Sequence, residues 1–138
     1  MKTSVRRGEI YNCQLANGAE QKFLVIQNDI GNKYCESLIV VPLTKNMRSR
    51  RLLFSLVIEG NAISGLDQDH VALFFHIRTL NKDRFGRHNR LGWLDYHALQ
   101  CMDAMLELSL GLSTLQRLET RFNHVRRASD ARGREIAR

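Results

Sequence analysis

At 138 residues the chain is long enough for one domain with a real core and too short for two ordinary ones. Apolar residues make up 43% and charged residues 25%, a globular rather than disordered composition, and no window approaches the roughly 18 apolar residues of a membrane span. The formal net charge of +7 suits a domain that meets phosphate backbones. Cys13, Cys35 and Cys101 are odd in number and widely spaced, which fits neither a disulfide framework nor a zinc site, and they read as reduced, mostly structural thiols. The start, MKTSVRRGEIY, is basic but has no apolar run behind it, so it does not have the form of a secretory signal. A soluble, cytoplasmic protein is expected.

Glu9–Leu15 reads as a first strand, and Asn17-Gly18 as the tight turn after it, so a second strand should begin near Lys22. Leu24–Ile26 is a short β-branched-rich run that halts at Gln27-Asn28-Asp29, where amide and carboxylate side chains can bond their own backbone, and Gly31-Asn32 permits positive φ. A third strand covers Leu38–Thr44; its Pro42 implies an edge, a bulge or a strand terminus. Lys45–Arg51, KNMRSRR, is a basic loop before the apolar run Leu52–Ile58, which Glu59-Gly60-Asn61 closes. His70–Leu80 alternates as one strand with two apolar-rich faces, as expected inside a closed or two-layer sheet.

Asp95 is the expected N-cap of a helix in which Leu99, Met102, Leu106 and Leu110 recur at helical spacing, with Gly111 as its stop. Ser113–Gln116 matches a capping box, and Leu115, Leu118, Phe122 and Val125 form an apolar stripe along a further helix ending by about Arg127. Beyond it the composition is that of a frayed or disordered tail. Ser113–Arg138 carries seven Arg against Glu119, Asp130 and Glu135, so +4 of the charge belongs there and only +3 to residues 1–112. A solvated basic tail and an RNA or partner contact are both open for it. The expected architecture is mainly β with C-terminal helices, in the α+β class: a barrel domain over 1–112 and a basic C-terminal helix with its tail over 113–138.

The run Leu24–Asn32, LVIQNDIGN, followed by a strand ending in Thr44, resembles the MazF/PemK family of toxin endoribonucleases. Arg7–Tyr11 (RGEIY), Ile77–Leu80 (IRTL), Lys82–Arg84 and Leu106–Leu112 are similar to further blocks of that family, in the same order. The resemblance implies an SH3-like small barrel that forms a homodimer, is inhibited by a cognate antitoxin protein, and cleaves single-stranded RNA without metal ion or cofactor. The 2′-hydroxyl would attack the adjacent phosphate, leaving a cyclic phosphate and a 5′-hydroxyl. Such chemistry needs a base, a cation or donors for the phosphorane oxygens, and an acid for the leaving oxygen.

Two departures fall where that chemistry sits. The family's first loop carries Arg-Pro just before the strand, whereas this chain reads Gly18-Ala19-Glu20-Gln21-Lys22 and runs into Phe23. Depending on where the gap is placed, Lys22 or Gln21 stands near the missing Arg. Arg suits phosphorane stabilisation through its fixed fork of donors, whereas Lys is a point charge on a flexible stem and Gln is neutral. Before the Arg-Thr pair, where family members often carry an acidic or amide residue, stand Phe75 and His76.

The candidate catalytic residues are therefore Thr44, Lys22 and His76. Thr44 matches the family's hydroxyl and would donate to a phosphate oxygen; a Thr satisfied by a local backbone bond is the plainer alternative. Lys22 is a replacement cation or an exposed strand-edge charge. His76 is an acid or base, since histidine exchanges protons near neutral pH, or a packed histidine. The candidate RNA-binding residues are Glu20, Gln21, Lys45, Arg48, Arg50 and Arg51. Glu20 matches the family's loop carboxylate, with a solvated turn residue as the alternative; the four loop cations would line an RNA groove or form a solvated charge run. Base stacking would come from Phe23, Tyr34 or Phe54, and Trp93 reads as a packing anchor. Two functions follow: a toxin ribonuclease, or a catalytically weakened homologue that binds RNA, antitoxin or another protein.

Overall fold

The computed structural model describes residues 4–112, and the expected second helix with its Leu115–Val125 stripe lies outside them. Strands β1 (Glu9–Gln14), β2 (Glu20–Val25), β3 (Ser37–Thr44), β4 (Ser55–Ile58), β5 (His70–Leu73), β6 (Arg78–Asn81) and β7 (Arg90–Trp93) form one antiparallel sheet. The strand order is β4-β5-β3-β2-β1-β7, with β6 also on β3. Helices α1 (Asp29–Tyr34) and α2 (Tyr96–Leu110) complete the described chain. The sheet curls into a half-barrel, and both of its faces are covered. One face buries Ile10, Leu24, Val41, Leu43 and Phe74 against Met102 and Leu106 of α2. The other buries Tyr11, Phe23, Val25, Leu38 and Val40 beneath Val5 and Phe85.

The β1–β2 connection is short because it closes on itself. Gly18 at φ +84° supplies the turn that a side chain resists, Leu15 N donates to Ala19 O at 2.7 Å, and Ala19 N donates to the Asn17 side chain at 3.0 Å. Helix α2 starts where Asp95 accepts from Ala98 N at 2.8 Å. It stops at Gly111 in the left-handed region (φ +66°), with Leu112 N donating to Glu107 O at 2.9 Å and Gly111 N to Leu108 O at 3.3 Å. Of the expected apolar stripe on α2, Met102 and Leu106 are buried, whereas Leu110 is exposed.

Gln27-Asn28-Asp29 is not a simple turn but the start of α1, and Gly31 is helical rather than left-handed. Asn28 caps α1 by accepting from Gly31 N at 2.8 Å. Buried Gln27 donates to Ser37 O (3.0 Å) and to Asn32 Oδ1 (3.2 Å), and Asn32 donates back to Gln27 O (2.9 Å). Arg7 adds three ties: its N donates to Asp29 Oδ1 at 2.7 Å, its Nε to Ile26 O at 2.8 Å, and its Nη1 to Asp103 of α2 at 2.6 Å.

The single strand expected over His70–Leu80 is two. β5 pairs with Leu43 and Thr44, β6 with Ser37–Val40, and the chain between them turns away, with His76 N donating to Leu73 O at 3.1 Å. The break falls beside Val41 and Pro42, where proline has no N–H to offer a ladder. Pro42 thus sits in a central strand at a ladder interruption, not at an edge. The run Leu52–Ile58 is also shorter as a strand than expected: Leu52 and Leu53 are exposed, and pairing begins at Ser55.

Candidate functional site

The start of β2, the end of β3 and the start of β5 meet at one end of the sheet, with Lys22 opposite Leu43 and Thr44 opposite Val71. Because neighbouring residues on a strand face opposite ways, Lys22 leaves the sheet on the Leu43 face and Thr44 on the other. Thr44 is half-buried, and its Oγ1 accepts from Asn46 N at 3.2 Å, which leaves the hydroxyl hydrogen free to donate. Asn46 in turn accepts from Arg48 N at 3.1 Å and caps a 3₁₀ turn over Met47–Arg51. This local chemistry throws Lys45, Arg48, Arg50 and Arg51 outward as exposed cations, the last three without a carboxylate partner among the described residues.

Lys45 Nζ lies 3.6 Å from Asp67 Oδ2. Desolvation pushes the Asp67 carboxyl up, but Lys45, its own backbone N–H, Lys22 and His70 together outweigh it and hold the group below the ordinary carboxylate value. His70 is buried at the head of β5, opposite Ile58, with Nδ1 2.7 Å from Gln68 O and a buried Nε2 that has no partner among the described residues. Neither Asp67 nor His70 was marked by the sequence. Asp67 lies in a loop whose approach to Lys45 is set by the β3–β5 register, and no local pattern encodes that register.

The other expected residues are less concentrated. Gln21 donates its amide to Leu43 O (2.8 Å) and Lys22 O (3.0 Å), so its N–H groups are spent on the strand ends. Glu20 Oε2 accepts from Asn12 at 3.2 Å across the β1–β2 hairpin. His76 is exposed in the β5–β6 turn, its ring 4.6 Å from that of Phe75, rather than packed in a strand. The turn lies beside Val41 and Pro42, about 7–10 Å along β3 from Thr44. Phe23 is fully buried beneath the Arg78 guanidinium, 5.5 Å from the ring centroid, and offers no stacking surface. Phe54 is half-buried against the core, Tyr34 is exposed with Lys33 over its ring, and Trp93 is half-exposed rather than a packing anchor. Among the described residues, no group of three or more His, Cys, Asp or Glu side chains is placed to hold a metal ion.

The family described as PemK-like, MazF-like toxin of type II toxin–antitoxin systems matches residues 6–110. The chain belongs to this family. It is 33% identical over 118 residues to the endoribonuclease MazF of Staphylococcus saprophyticus subsp. saprophyticus, covering 81% of this chain and 96% of that protein. Among solved structures, an endoribonuclease from a mycobacterial species superposes with a TM-score of 0.65 at 25% identity, covering 82% of this chain and 97% of its own. The MazE–MazF complex from Deinococcus radiodurans superposes with a TM-score of 0.64 at 19% identity, over 80% of this chain and 98% of the matched one, and shares the fold. The curled antiparallel sheet with α2 is thus the MazF-like fold, and Thr44 lies at the end of its central strand.

Proposed function

We propose that this MazF-like chain is the toxin of a toxin–antitoxin pair and cleaves single-stranded RNA by internal transphosphorylation, as a cytoplasmic homodimer silenced by a cognate antitoxin. The observation that carries this reading is the half-buried Thr44, whose hydroxyl keeps a free donor beside an outward fan of four cations, Lys45, Arg48, Arg50 and Arg51. Four such charges would engage successive phosphates with strong salt dependence. Thr44 O–H would donate to a non-bridging oxygen, and Lys45 and Lys22 would offset the extra charge of the phosphorane. His76, exposed in the adjacent turn, would take the 2′ proton or protonate the departing 5′ oxygen, the P–O5′ bond breaking as the 2′ O–P bond forms.

A second reading keeps the barrel as a binding module with weakened catalysis. It is favoured by the spent amide of Gln21 and by the placement of Lys22 on the sheet face opposite Thr44, which leaves the family's Arg without a direct replacement. Expression without antitoxin separates the two readings. The ribonuclease reading expects growth arrest by wild type and relief by Thr44→Ala, and cleavage of mixed-sequence single-stranded RNA in a chelator to 2′,3′-cyclic phosphate ends. Equal growth of the two strains with intact RNA refutes it. On the same RNA, Lys22→Ala and His76→Ala should each slow cleavage; an unchanged rate in either removes that residue from the mechanism.

A further inference from the structure

The sheet ends on two strands that do not pair with each other. Among the described residues β4 pairs only with β5 and β7 only with β1, and the gap between them is bridged where Trp93 N donates to Ile63 O at 3.0 Å. Beside that bridge, a groove of about 300 Å³ opens between β4 and the first turns of α2, walled by Val57, Ile63, Trp93, Ala98 and Cys101. Trp93, Ile63 and Val57 are 52%, 43% and 40% exposed. Exposed apolar side chains scattered singly need no explanation, but these three share one groove. From Cys101 the apolar track continues along α2 through half-buried Met105 and Leu108, at helical spacing, to exposed Leu112.

The fixed charges on this side are negative. Glu59 and Asp95 line the groove, Asp103 and Glu107 follow on α2, and among the described residues neither the groove lining nor α2 includes a Lys or Arg. Only Asp103 of the four already has a cation, Arg7, among the described residues. The sequence that follows α2 is complementary in both respects. It carries the Leu115, Leu118, Phe122 and Val125 stripe, and over Ser113–Arg127 it sets four Arg against one Glu, a net of +3. It also lies beyond the part of the chain matched to the family, which ends at residue 110. We propose that residues 113–127 fold back as a helix antiparallel to α2 and lay this stripe into the groove, covering the seam between β4 and β7 of the same chain. Gly111, in the left-handed region, reverses the chain at the end of α2. A helix over Leu115–Val125 rises about 15 Å, and Leu110 lies about 14 Å along α2 from Cys101, so Phe122 and Val125 reach the level of Cys101. Arg126 and Arg127 then stand toward Asp95 and Glu59. The tether of a few residues gives this segment a high effective concentration at the groove, an advantage that a separate partner lacks. The inference does not depend on the ribonuclease reading.

The groove contains two native reporters, Cys101 and the chain's single tryptophan, Trp93. In the full chain, wild type and Leu118→Asp/Phe122→Asp are alkylated with iodoacetamide and each cysteine is followed by peptide mass spectrometry. A segment docked in about nine molecules of ten slows a reaction that needs the open groove roughly tenfold, so Cys101 should react about tenfold faster in the double variant. Trp93 emission should move to longer wavelength in that variant. Exposed Cys35 serves as the reference and buried Cys13 as the check that the barrel stays folded; both should keep their wild-type rates. Equal Cys101 rates with unchanged emission overturn the proposal. A second measurement leaves the stripe largely intact. With Cys35→Ser in the background, Phe122→Cys or Val125→Cys should form a disulfide with Cys101 within one chain, whereas Thr120→Cys, on the far side of the proposed helix, should not. A Cys101 disulfide formed only between two chains assigns the groove to a second copy and overturns the proposal, as does the absence of any Cys101 disulfide from either stripe position.

Discussion

Replacing Thr44 with valine keeps the shape of the side chain and removes both roles of its hydroxyl, and the two losses have different sizes. The accepted bond from Asn46 N is 3.2 Å long and solvent-exposed, so its loss costs about 0.5–1 kcal/mol of stability and lowers Tm by a few degrees. The donor to the phosphorane is worth more: removing one donor of this kind typically costs about 100- to 1000-fold in rate, or roughly 2.7–4 kcal/mol in the barrier. A domain several kcal/mol stable remains folded at 25 °C after losing about 1 kcal/mol, so unfolding does not account for a loss of that size. Thr44→Ser retains the hydroxyl and should stay within about tenfold of wild type. The assay is single-turnover cleavage of a defined single-stranded RNA at saturating enzyme, paired with urea denaturation of the same three proteins. Cleavage by Thr44→Val within tenfold of wild type refutes the donor role. A Thr44→Ser rate as low as that of Thr44→Val shows instead that the methyl group's packing was what mattered.

Three further perturbations probe the scaffold. Gly92→Ala puts a Cβ 2.1 Å from Ile63 O and 2.4 Å from Ser64 C, backbone that must move, so a loss of about 3 kcal/mol or more is expected in urea denaturation; Gly18→Ala, strained in φ but meeting nothing within 4 Å, should lose only about 1 kcal/mol. Arg7→Ala removes the bonds to Ile26 O and Asp103 and should lower the urea midpoint by the equivalent of about 1–3 kcal/mol, with Asp103→Asn costing less. Burial pushes the Cys13 thiol from 9.0 to about 11, against a smaller lowering by Arg84. The unfolded chain therefore gives up this proton first, so the Cys13 contribution to stability is intact below about pH 9 and declines as pH rises from there through 11. At pH 8, an alkylating reagent should modify exposed Cys35 rapidly and Cys13 only on unfolding.

What the sequence made legible was carried by short-range signals. The Asp95 cap, the Gly111 stop and the tight turn at Gly18 each involve residues within a few positions of one another, and each stands where expected. The resemblance around LVIQNDIGN likewise led to the correct family and to Thr44 at a strand end. The misses are long-range. The His70–Leu80 alternation is continuous, yet β5 and β6 separate because β3 carries Pro42 alongside, some thirty residues earlier in the chain. Phe23 reads equally well as a surface aromatic or a core one until Val25, Val40 and Phe85 are packed around it. Asp67 meets Lys45 across a distance in sequence that no periodicity bridges.

These two classes of signal explain why the turn and the chemistry can diverge. Gln27, Asn28 and Asp29 work on the start of β3: Gln27 grips Ser37 O, and Ile26 N and Gln27 N both donate to Ile39 O, at 3.0 and 3.2 Å. Fixing that register fixes where β3 ends, so Thr44 is placed about 23 Å away by strand geometry alone. The cation is under no such control. It enters from the far end of β2, after a turn that closes on itself, and the register there can be satisfied by Gln21 bonding to Leu43 O whether or not an Arg precedes the strand. The scaffold thus tolerates exchange of the cation without moving the hydroxyl. In this chain Lys45, next to Thr44 in sequence, lies 3.6 Å from Asp67, while Lys22 leaves the sheet on the face opposite Thr44. Where one rigid guanidinium would present a fixed fork of donors, lysines offer point charges on flexible stems, so the charge they bring to a phosphate depends on how their stems are held rather than on the strand register.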